Sequence, residues 1–210
     1  MLVHRDCIFY KYTGTPEWKE IELGRGESFS SFKCELYETD VIKAKFQWAD
    51  PIKVRDKIIT TEKKTIDFLI FEDINVVCIF GGSESHIAYT ISKISQVFPI
   101  VLKKVDLFEK YKEYVINNKQ NVFFKLQSID VSKEPTGYDS DEYINISTKE
   151  IELDILKEYI ESDKLVSFVI SIESIQLYFF LDYMSVVSFM DTDEVASILN
   201  ACKRIVKYIA

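Results

Sequence analysis

The stretch Ile66–Phe98, IDFLIFEDINVVCIFGGSESHIAYTISKISQVF, decides the fold that we expect. Apolar runs on either side of a short turn at Glu72-Asp73 predict two antiparallel strands, and a glycine pair at 81–82 ends the second. Ser83 suits the N-cap of a following helix, because its short side chain can accept a hydrogen bond from a first-turn amide. Pro99 should end that helix. The stretch therefore predicts a strand–turn–strand–helix unit.

A second stretch with the same order of features lies near the C-terminus, at Ile175–Ile209. Its apolar runs again flank a short turn, and Asp191 with Glu194 resembles a capping box before an amphipathic helix. The two stretches favour an internal duplication. The alternative is that two unrelated amphipathic units share a hydrophobic pattern.

The fold class that follows is α+β, with two related halves and suspected pseudo-twofold symmetry. Each half is expected to be an antiparallel sheet that ends in the strand–turn–strand–helix unit. Residues 1–29 are predicted to form a β-hairpin, from Cys7–Tyr12 and Trp18–Leu23, and a connection. Residues 30–105 form the first half and 106–210 the second, in one compact globular unit.

Alternating side chains predict further strands in the first half, with one face on a core and the other in solvent. The inward sets are Phe32, Cys34 and Leu36, then Ile42, Ala44, Phe46 and Trp48, opposite Lys43, Lys45 and Gln47. The dipeptide at 50–51, Asp-Pro, is expected to end the second of these strands. In the second half we expect a polar loop at Glu134–Tyr143, followed by a helix beginning at Ser147 with Glu150 as its capping glutamate.

The composition is that of an ordinary globular protein, with 47% hydrophobic and 29% charged residues and a net charge of −8. This charge argues against a general phosphate-binding surface. The four cysteines are scattered without metal-ligand spacing, which favours buried free thiols and a reducing, cytoplasmic location. No stretch has the length and apolar composition of a membrane span.

The sequence contains few of the residues that catalysis usually requires. There are only two histidines, and no catalytic residues, cofactor or metal site are predicted. His86, in the first turn of a predicted helix, could act beside a bound anion, but it lacks identifiable partners and we interpret it as a surface residue.

Negative charge is concentrated in residues 130–163, which carry eleven acidic residues against three lysines. Such a surface can complement a basic partner and accelerate its encounter. The alternative is a solubilising surface. The candidate partner-binding residues are Asp139, Asp141, Glu142, Glu150, Asp154 and Glu158.

Positive charge is concentrated elsewhere, in segments 52–64 and 103–125. If these met on one face, they could bind nucleic acid with aromatic side chains available for stacking. The residues of this alternative site are Lys53, Arg55, Lys57, Lys63, Lys64, Lys103 and Lys104.

The leading function is a non-enzymatic intracellular protein-binding factor: an adaptor, an inhibitor, or an accessory protein of immunity or antiviral defence. It would dock another protein through its sheet or its acidic loop, and it could form a homo-oligomer. The second hypothesis is a nucleic-acid-associated protein that uses a duplicated sheet as a platform. The third is an enzyme with a metal ion at the acidic loop.

Overall fold

The computed structural model describes residues 2–18, 30–54, 57–117, 124–133 and 142–209. The chain divides into two compact units, Met1–Lys104 and Val105–Ala210. Helices accompany an antiparallel arrangement of strands in each unit, which confirms the α+β class. Each unit is described by itself below.

The first unit is an antiparallel sheet with one described helix. Its elements are β1 (Asp6–Thr13), β2 (Ser30–Glu38), β3 (Val41–Val54), β4 (Lys57–Phe71), β5 (Val76–Phe80), α1 (Glu84–Val97) and β6 (Val101–Lys104). The strand order is β2-β3-β4-β5-β1, and β6 pairs with β1. The four-residue strand β6 was not predicted from the sequence.

The stretch Ile66–Phe98 folds as its sequence predicts. β4 and β5 are paired in register, and the turn between them ends at Asn75 with a left-handed φ of 55°. The Ser83 side chain accepts a hydrogen bond from the amide of His86, which makes it the N-cap of α1. The helix ends at Val97, just before the proline at 99.

Strand β3 alternates as predicted but does not end at Pro51. Ile42, Ala44, Phe46 and Trp48 are buried, whereas Leu36 on β2 is 61% exposed and lies outside the predicted core. A register irregularity between Ala49 and Pro51 lets β3 continue to Val54. A proline is tolerated in a strand at such a bulge, because it need not donate to the ladder there.

The opposite face of β3 and β4 is less solvated than the alternation predicts. Asp67 is fully buried, directly across from Lys45, and its Oδ1 lies 3.6 Å from the lysine Nζ. The amide of Val3 donates to Asp67 Oδ2 at 2.9 Å. The burial of this carboxylate is thus accompanied by one hydrogen bond and one nearby cation.

The predicted N-terminal hairpin falls mostly on residues outside the described part of the chain. Of its second strand, only Trp18 is described, and it is buried in a turn against Tyr12 and Phe98. Its first strand, β1, pairs with β5 and with β6.

The second unit contains three of the four helices found in the described residues. Its elements are α2 (Leu107–Ile116), β7 (Lys125–Ser132), β8 (Tyr143–Ser147), α3 (Leu153–Glu161), β9 (Leu165–Ile172), β10 (Leu177–Asp182), β11 (Val187–Phe189) and α4 (Val195–Ile209). The strand order is β11-β10-β9-β7-β8, with antiparallel pairing between the neighbours.

Apolar side chains from α2, α4, β9 and β10 form part of the second core. They enclose a small apolar pocket lined by Leu107, Tyr111, Phe124, Ile170, Phe179, Leu181 and Ile205. Since this lining offers no polar group except the tyrosine hydroxyl, the pocket is a packing feature with little scope for catalysis.

The predicted helix start at Ser147 is wrong. Ser147 is the last residue of β8, its side chain accepts the amide of Lys149, and its carbonyl accepts the amide of Glu150. The helix α3 begins only at Leu153. Isoleucines at 144 and 146 favour a strand, and pairing with β7 supplies the hydrogen bonds.

The predicted capping box of the last helix is also wrong. α4 begins at Val195, and the amide of Ile198 donates to the Glu194 carbonyl, so Asp191 lies too far upstream to be the N-cap. The aspartate that bonds locally is Asp193, whose Oδ2 accepts the amide of Met190.

Candidate protein-docking surface

The net charge of the chain can be assigned to one segment, residues 134–163. This segment has ten carboxylates and two lysines, a net charge of −8, which equals that of the whole chain. The rest of the chain is therefore neutral, with 24 acidic and 24 basic residues. Residues 142–163 of the segment are described, and they contain β8 and α3.

Helix α3 is fixed by its apolar face. Leu156 and Ile160, one turn apart, are buried, and the helix packs against α2 and β9. No side chain caps its N-terminus, although Asp154 in the first turn interacts favourably with the helix dipole. The burial of one face leaves the opposite face in solvent.

Six carboxylates on and beside α3 are all exposed. They are Glu150, Glu152, Asp154, Glu158, Glu161 and Asp163, and we call them the acidic α3 surface. None of the six forms an ion pair with another residue in the described ranges. Lys157 is the one cation in this stretch.

Two large aliphatic side chains are exposed on the same helix. Leu153 is 48% exposed and Ile155 is 44% exposed. Exposed apolar side chains among charged residues are typical of surfaces that bind another protein. The helix therefore offers both the charge and the apolar contact area that docking requires.

The predicted acidic loop is only partly visible. Asp139 and Asp141 lie outside the described residues, and Glu142 is exposed just before β8, where it forms an ion pair of 2.6 Å with Lys133. Of the predicted partner-binding set, the structure therefore places Glu150, Asp154 and Glu158 together on the acidic α3 surface. Glu142 lies apart from them, at the other end of β8.

A polar network ties β8 to the sheet. The Asn145 side-chain amide donates to Asp130 Oδ1 at 2.8 Å and to Ser128 Oγ at 3.0 Å. Ser167 Oγ donates to Asp130 Oδ2 at 2.5 Å, which extends the network across three strands. The Asp130 carboxylate is thus bonded on both oxygens, and β8 is held in one register.

The lysines of the nucleic-acid alternative lie on two parts of the first unit. Lys53 and Lys57 flank the β3–β4 turn, where side chains are not described, and Arg55 is outside the described residues. Lys63 and Lys64 follow along β4, while Lys103 and Lys104 are exposed on β6.

Among the described side chains, the lysines of β4 and those of β6 lie too far apart to form one patch. β4 and β6 are separated by β5 and β1, about 14 Å across the sheet, since strands lie about 4.8 Å apart. The pairing registers place Lys104 level with Ile70, six residues from Lys64, which is about 20 Å along the strand at about 3.3 Å per residue. Lys64 and Lys104 therefore lie about 24 Å apart.

An aromatic cluster in the first unit was not anticipated as a unit. The Trp48 ring stacks on the Phe46 ring, with the ring centroids 5.3 Å apart. It also lies tilted against the Tyr89 ring, with the centroids 5.2 Å apart. The His86 ring meets Trp48 edge-on at 5.4 Å. The signal in the sequence is the three-residue spacing of His86 and Tyr89, which places both on one side of α1. His86 is thus a packing residue, and no acid–base partner accompanies it in these contacts.

All four cysteines lie in the described residues, and none of them is in a disulfide. Cys7, Cys78 and Cys202 are buried. Burial raises the pKa of the Cys34 thiol to about 12. The reactive thiolate form is therefore disfavoured at Cys34 near neutral pH.

Comparison with known proteins adds no family. No protein-family model matches the chain, and no curated protein matches it in sequence. Among the described helices, none combines the length and the apolar composition that a bilayer crossing requires.

Proposed function

We propose that this chain is a non-enzymatic intracellular protein-binding factor, of the adaptor, inhibitor or immunity type. It docks a partner with a basic surface through the acidic α3 surface. The observation that carries the proposal is that six exposed carboxylates without a described ion pair share one short segment with two exposed aliphatic side chains.

The charge on and beside α3 is strongly one-sided, which supports a role in binding a basic partner. Asp154 and Glu158 are four residues apart, and Glu158 and Glu161 three apart. Each such like-charge pair destabilises a helix by about 0.2–0.5 kcal/mol. Lys157, three residues from Asp154 and four from Glu161, offsets these two pairs. What stays uncompensated is the excess of six carboxylates over one lysine between Glu150 and Asp163, which a lysine or arginine of a partner would reduce.

Long-range attraction would act mainly on the rate of association. At physiological ionic strength salt screens charges over about 8 Å, so the clustered carboxylates attract a basic surface once it comes within roughly that distance. Such steering raises association rates by about 10-fold or more and weakens as salt is added. Leu153 and Ile155 would supply the contacts that persist at higher salt.

The intracellular assignment within this proposal rests on the cysteines. None of the four is in a disulfide, three are buried, and burial raises the pKa of the fourth, Cys34. A chain with several cysteines and no disulfide among its described residues suits a reducing compartment.

Affinity capture from extracts of the source cells, with the Asp154→Lys/Glu158→Lys variant as bait, tests the proposal. The matched control is Asp73→Lys/Glu84→Lys, which makes the same change of charge at exposed positions of the first unit. Glu84, like Asp154, is in the first turn of a helix, so the cost to the helix dipole is similar. Isotope-labelled wild-type bait provides the reference.

We expect at least one protein to be captured by the wild type and the control but to fall about tenfold or more with the α3 variant, a loss of about 1.4 kcal/mol. Its capture should also fall with added salt. Recovery of the same proteins in equal amounts with all three baits would overturn the proposal.

We also propose that the two units arose by duplication of one sheet-forming element. In support, β4–β5–α1 and β10–β11–α4 have the same order and the same antiparallel strand pair. In addition, β3-β4-β5 and β9-β10-β11 are both meanders of sequential neighbours. The alternative is convergence on a common motif.

A further inference from the structure

Strand β8 is at the edge of the second unit's sheet and pairs with β7 among the described strands. The amide of Lys133 donates to the Glu142 carbonyl, and the amide of Thr148 donates to the Gln127 carbonyl. In an antiparallel pair, residues that exchange hydrogen bonds alternate with residues that do not. These two bonds therefore determine which residues of β8 direct their backbone N–H and C=O groups toward β7.

The alternation leaves Tyr143, Asn145 and Ser147 with backbone groups directed away from β7. Their amides are spaced about 7 Å apart, as every second residue of a strand is. The Ser147 carbonyl is bonded to the Glu150 amide at 3.1 Å, so the edge presents three donors and two acceptors. Tyr143 is 46% exposed and Asn145 is exposed, which shows that solvent reaches the strand.

β8 also lacks the features with which proteins usually protect an edge. Edge strands are commonly shielded by charged residues, prolines or bulges. β2, the edge of the first unit's sheet, has Lys33, Glu35 and Glu38 and a register irregularity near its end. β8 has the sequence YINIS, without charge or proline, and its register with β7 is regular.

We propose that β8 binds an extended segment of the partner protein as an added strand, and that this segment alternates basic with apolar side chains. The inference rests on the proposed function, because the partner is the same. Backbone hydrogen bonds to the edge provide affinity in this mode of recognition, and alternate side chains provide specificity.

The chemistry around β8 indicates the basic residues of that segment. Carboxylates at Glu142 and Glu150 flank the two ends of the strand, and Glu142 is paired with a lysine while Glu150 is not. The exposed Tyr143 ring can take a lysine or arginine over its face. Ile144 points to the opposite face, is 48% exposed and suits an apolar side chain.

Charge distinguishes this occupant from a second copy of the chain. Pairing two copies through β8 would bring together two segments that each carry a net charge of −8. Like charges across an interface are unfavourable. A basic segment of another protein reduces the repulsion that a second copy would increase.

The experiment uses the full chain and a synthetic peptide of about eight residues, a usual strand length, in which lysine alternates with valine and threonine. Backbone amide exchange is followed by NMR as the peptide is added. The Tyr143→Pro variant removes the first outward amide, and proline is tolerated at the first residue of a strand. Tyr143→Ala is the matched control, because it removes the ring and keeps the amide.

We expect the peptide to slow exchange at Tyr143, Asn145 and Ser147, and Tyr143→Pro to weaken binding about fivefold or more relative to Tyr143→Ala. A peptide with glutamate in place of lysine should bind more weakly than the lysine peptide. Absence of protection at these amides at about 1 mM peptide, or equal affinity of the two variants, would overturn the inference. The wild-type exchange data decide the question even if Tyr143→Pro fails to fold.

Two further results separate this inference from the proposed function. If Asp154→Lys/Glu158→Lys still gains protection on β8 but captures partners normally, the acidic α3 surface is refuted and the edge is retained. If β8 amides become protected at high protein concentration without peptide, the occupant is a second copy and the inference of a basic partner segment is overturned.

Discussion

Replacement of Gly81 with alanine should destabilise the first unit, whereas the same replacement at Gly82 should not. An added Cβ at Gly81 would lie 2.6 Å from Cγ1 of Ile87 and 3.3 Å from Cδ1 of Ile66. Both isoleucines are buried, so neither can move aside freely. At Gly82 the added Cβ would meet the ring of His4 at 2.7 Å, but that ring is half-buried and can rotate away.

The size of the effect follows from two opposing contributions. Overpacking at Gly81 costs about 1–3 kcal/mol. Alanine also restricts the unfolded chain more than glycine does, which raises the free energy of unfolding by about 0.4–1 kcal/mol. Neither glycine has the left-handed φ that would make alanine unfavourable. We therefore expect Gly81→Ala to lower the free energy of unfolding by about 0.5–2 kcal/mol, and Gly82→Ala to change it by about 0.5 kcal/mol or less.

Thermal unfolding followed by circular dichroism measures the difference, with about 2–4 °C expected per kcal/mol for a chain of this size. Ile87→Ala removes both Ile87 atoms that the added Cβ would meet, Cγ1 at 2.6 Å and Cδ1 at 3.0 Å, so in a double-mutant cycle Gly81→Ala should cost less in the Ile87→Ala background than in the wild type. Equal melting temperatures for the two alanine variants would refute the packing argument. Recovery of Gly81→Ala by added phosphate would instead indicate an anion site at this glycine pair.

Three further predictions concern the second unit and Cys34. Asn145→Ala should lower the free energy of unfolding by about 1–2 kcal/mol, because it removes a donor to Asp130, and should speed amide exchange along β8. Ile160→Ala should cost about 2–5 kcal/mol in urea unfolding, since the side chain is fully buried, whereas charge reversal at Asp154 should cost less than about 1 kcal/mol. The pKa of Cys34 is raised from 9.0 to about 12 in the folded state, so above pH 9 the unfolded chain loses the thiol proton more readily than the folded chain. The contribution of Cys34 to stability is therefore constant below pH 9 and is lost as the pH rises toward 12. A Cys34→Ser variant should lack this alkaline loss, and iodoacetamide should modify Cys34 faster in urea than in buffer at pH 8.

The elements that could be predicted are those in which local signals agree. In Ile66–Phe98 the alternation, the turn, the cap at Ser83 and the proline after the helix all point to the same structure, and that structure is observed. Local signals conflict at Tyr143–Ser147. There the spacing of Ser147 and Glu150 resembles a capping box, but pairing with β7, eleven or more residues away in the chain, determines a strand.

One part of the candidate site could be predicted from the sequence and another part could not. The acidic α3 surface could be predicted from sequence, because a charged residue on an amphipathic helix is exposed whatever the helix packs against. The open edge of β8 could not be predicted, since strand order depends on pairing between distant segments. The buried Asp67 was missed for a related reason: alternation places it opposite Lys45, but only the fold brings the Val3 amide to it.

Segment 134–163 connects the charge argument to the edge argument. In the first unit β2, β3, β4 and β5 are successive neighbours, and in the second β7, β9, β10 and β11 are, with β8 and α3 inserted in the chain between β7 and β9. β7 and β9 pair directly, so the meander is complete without β8. The insertion nevertheless holds a net charge equal to that of the whole chain and a strand edge that pairs with no further described strand. Clustered like charge and an open edge both lower the stability or solubility of an isolated protein. Their coincidence in the one part that the sheet does not require is explained if a basic, extended segment of a partner engages both.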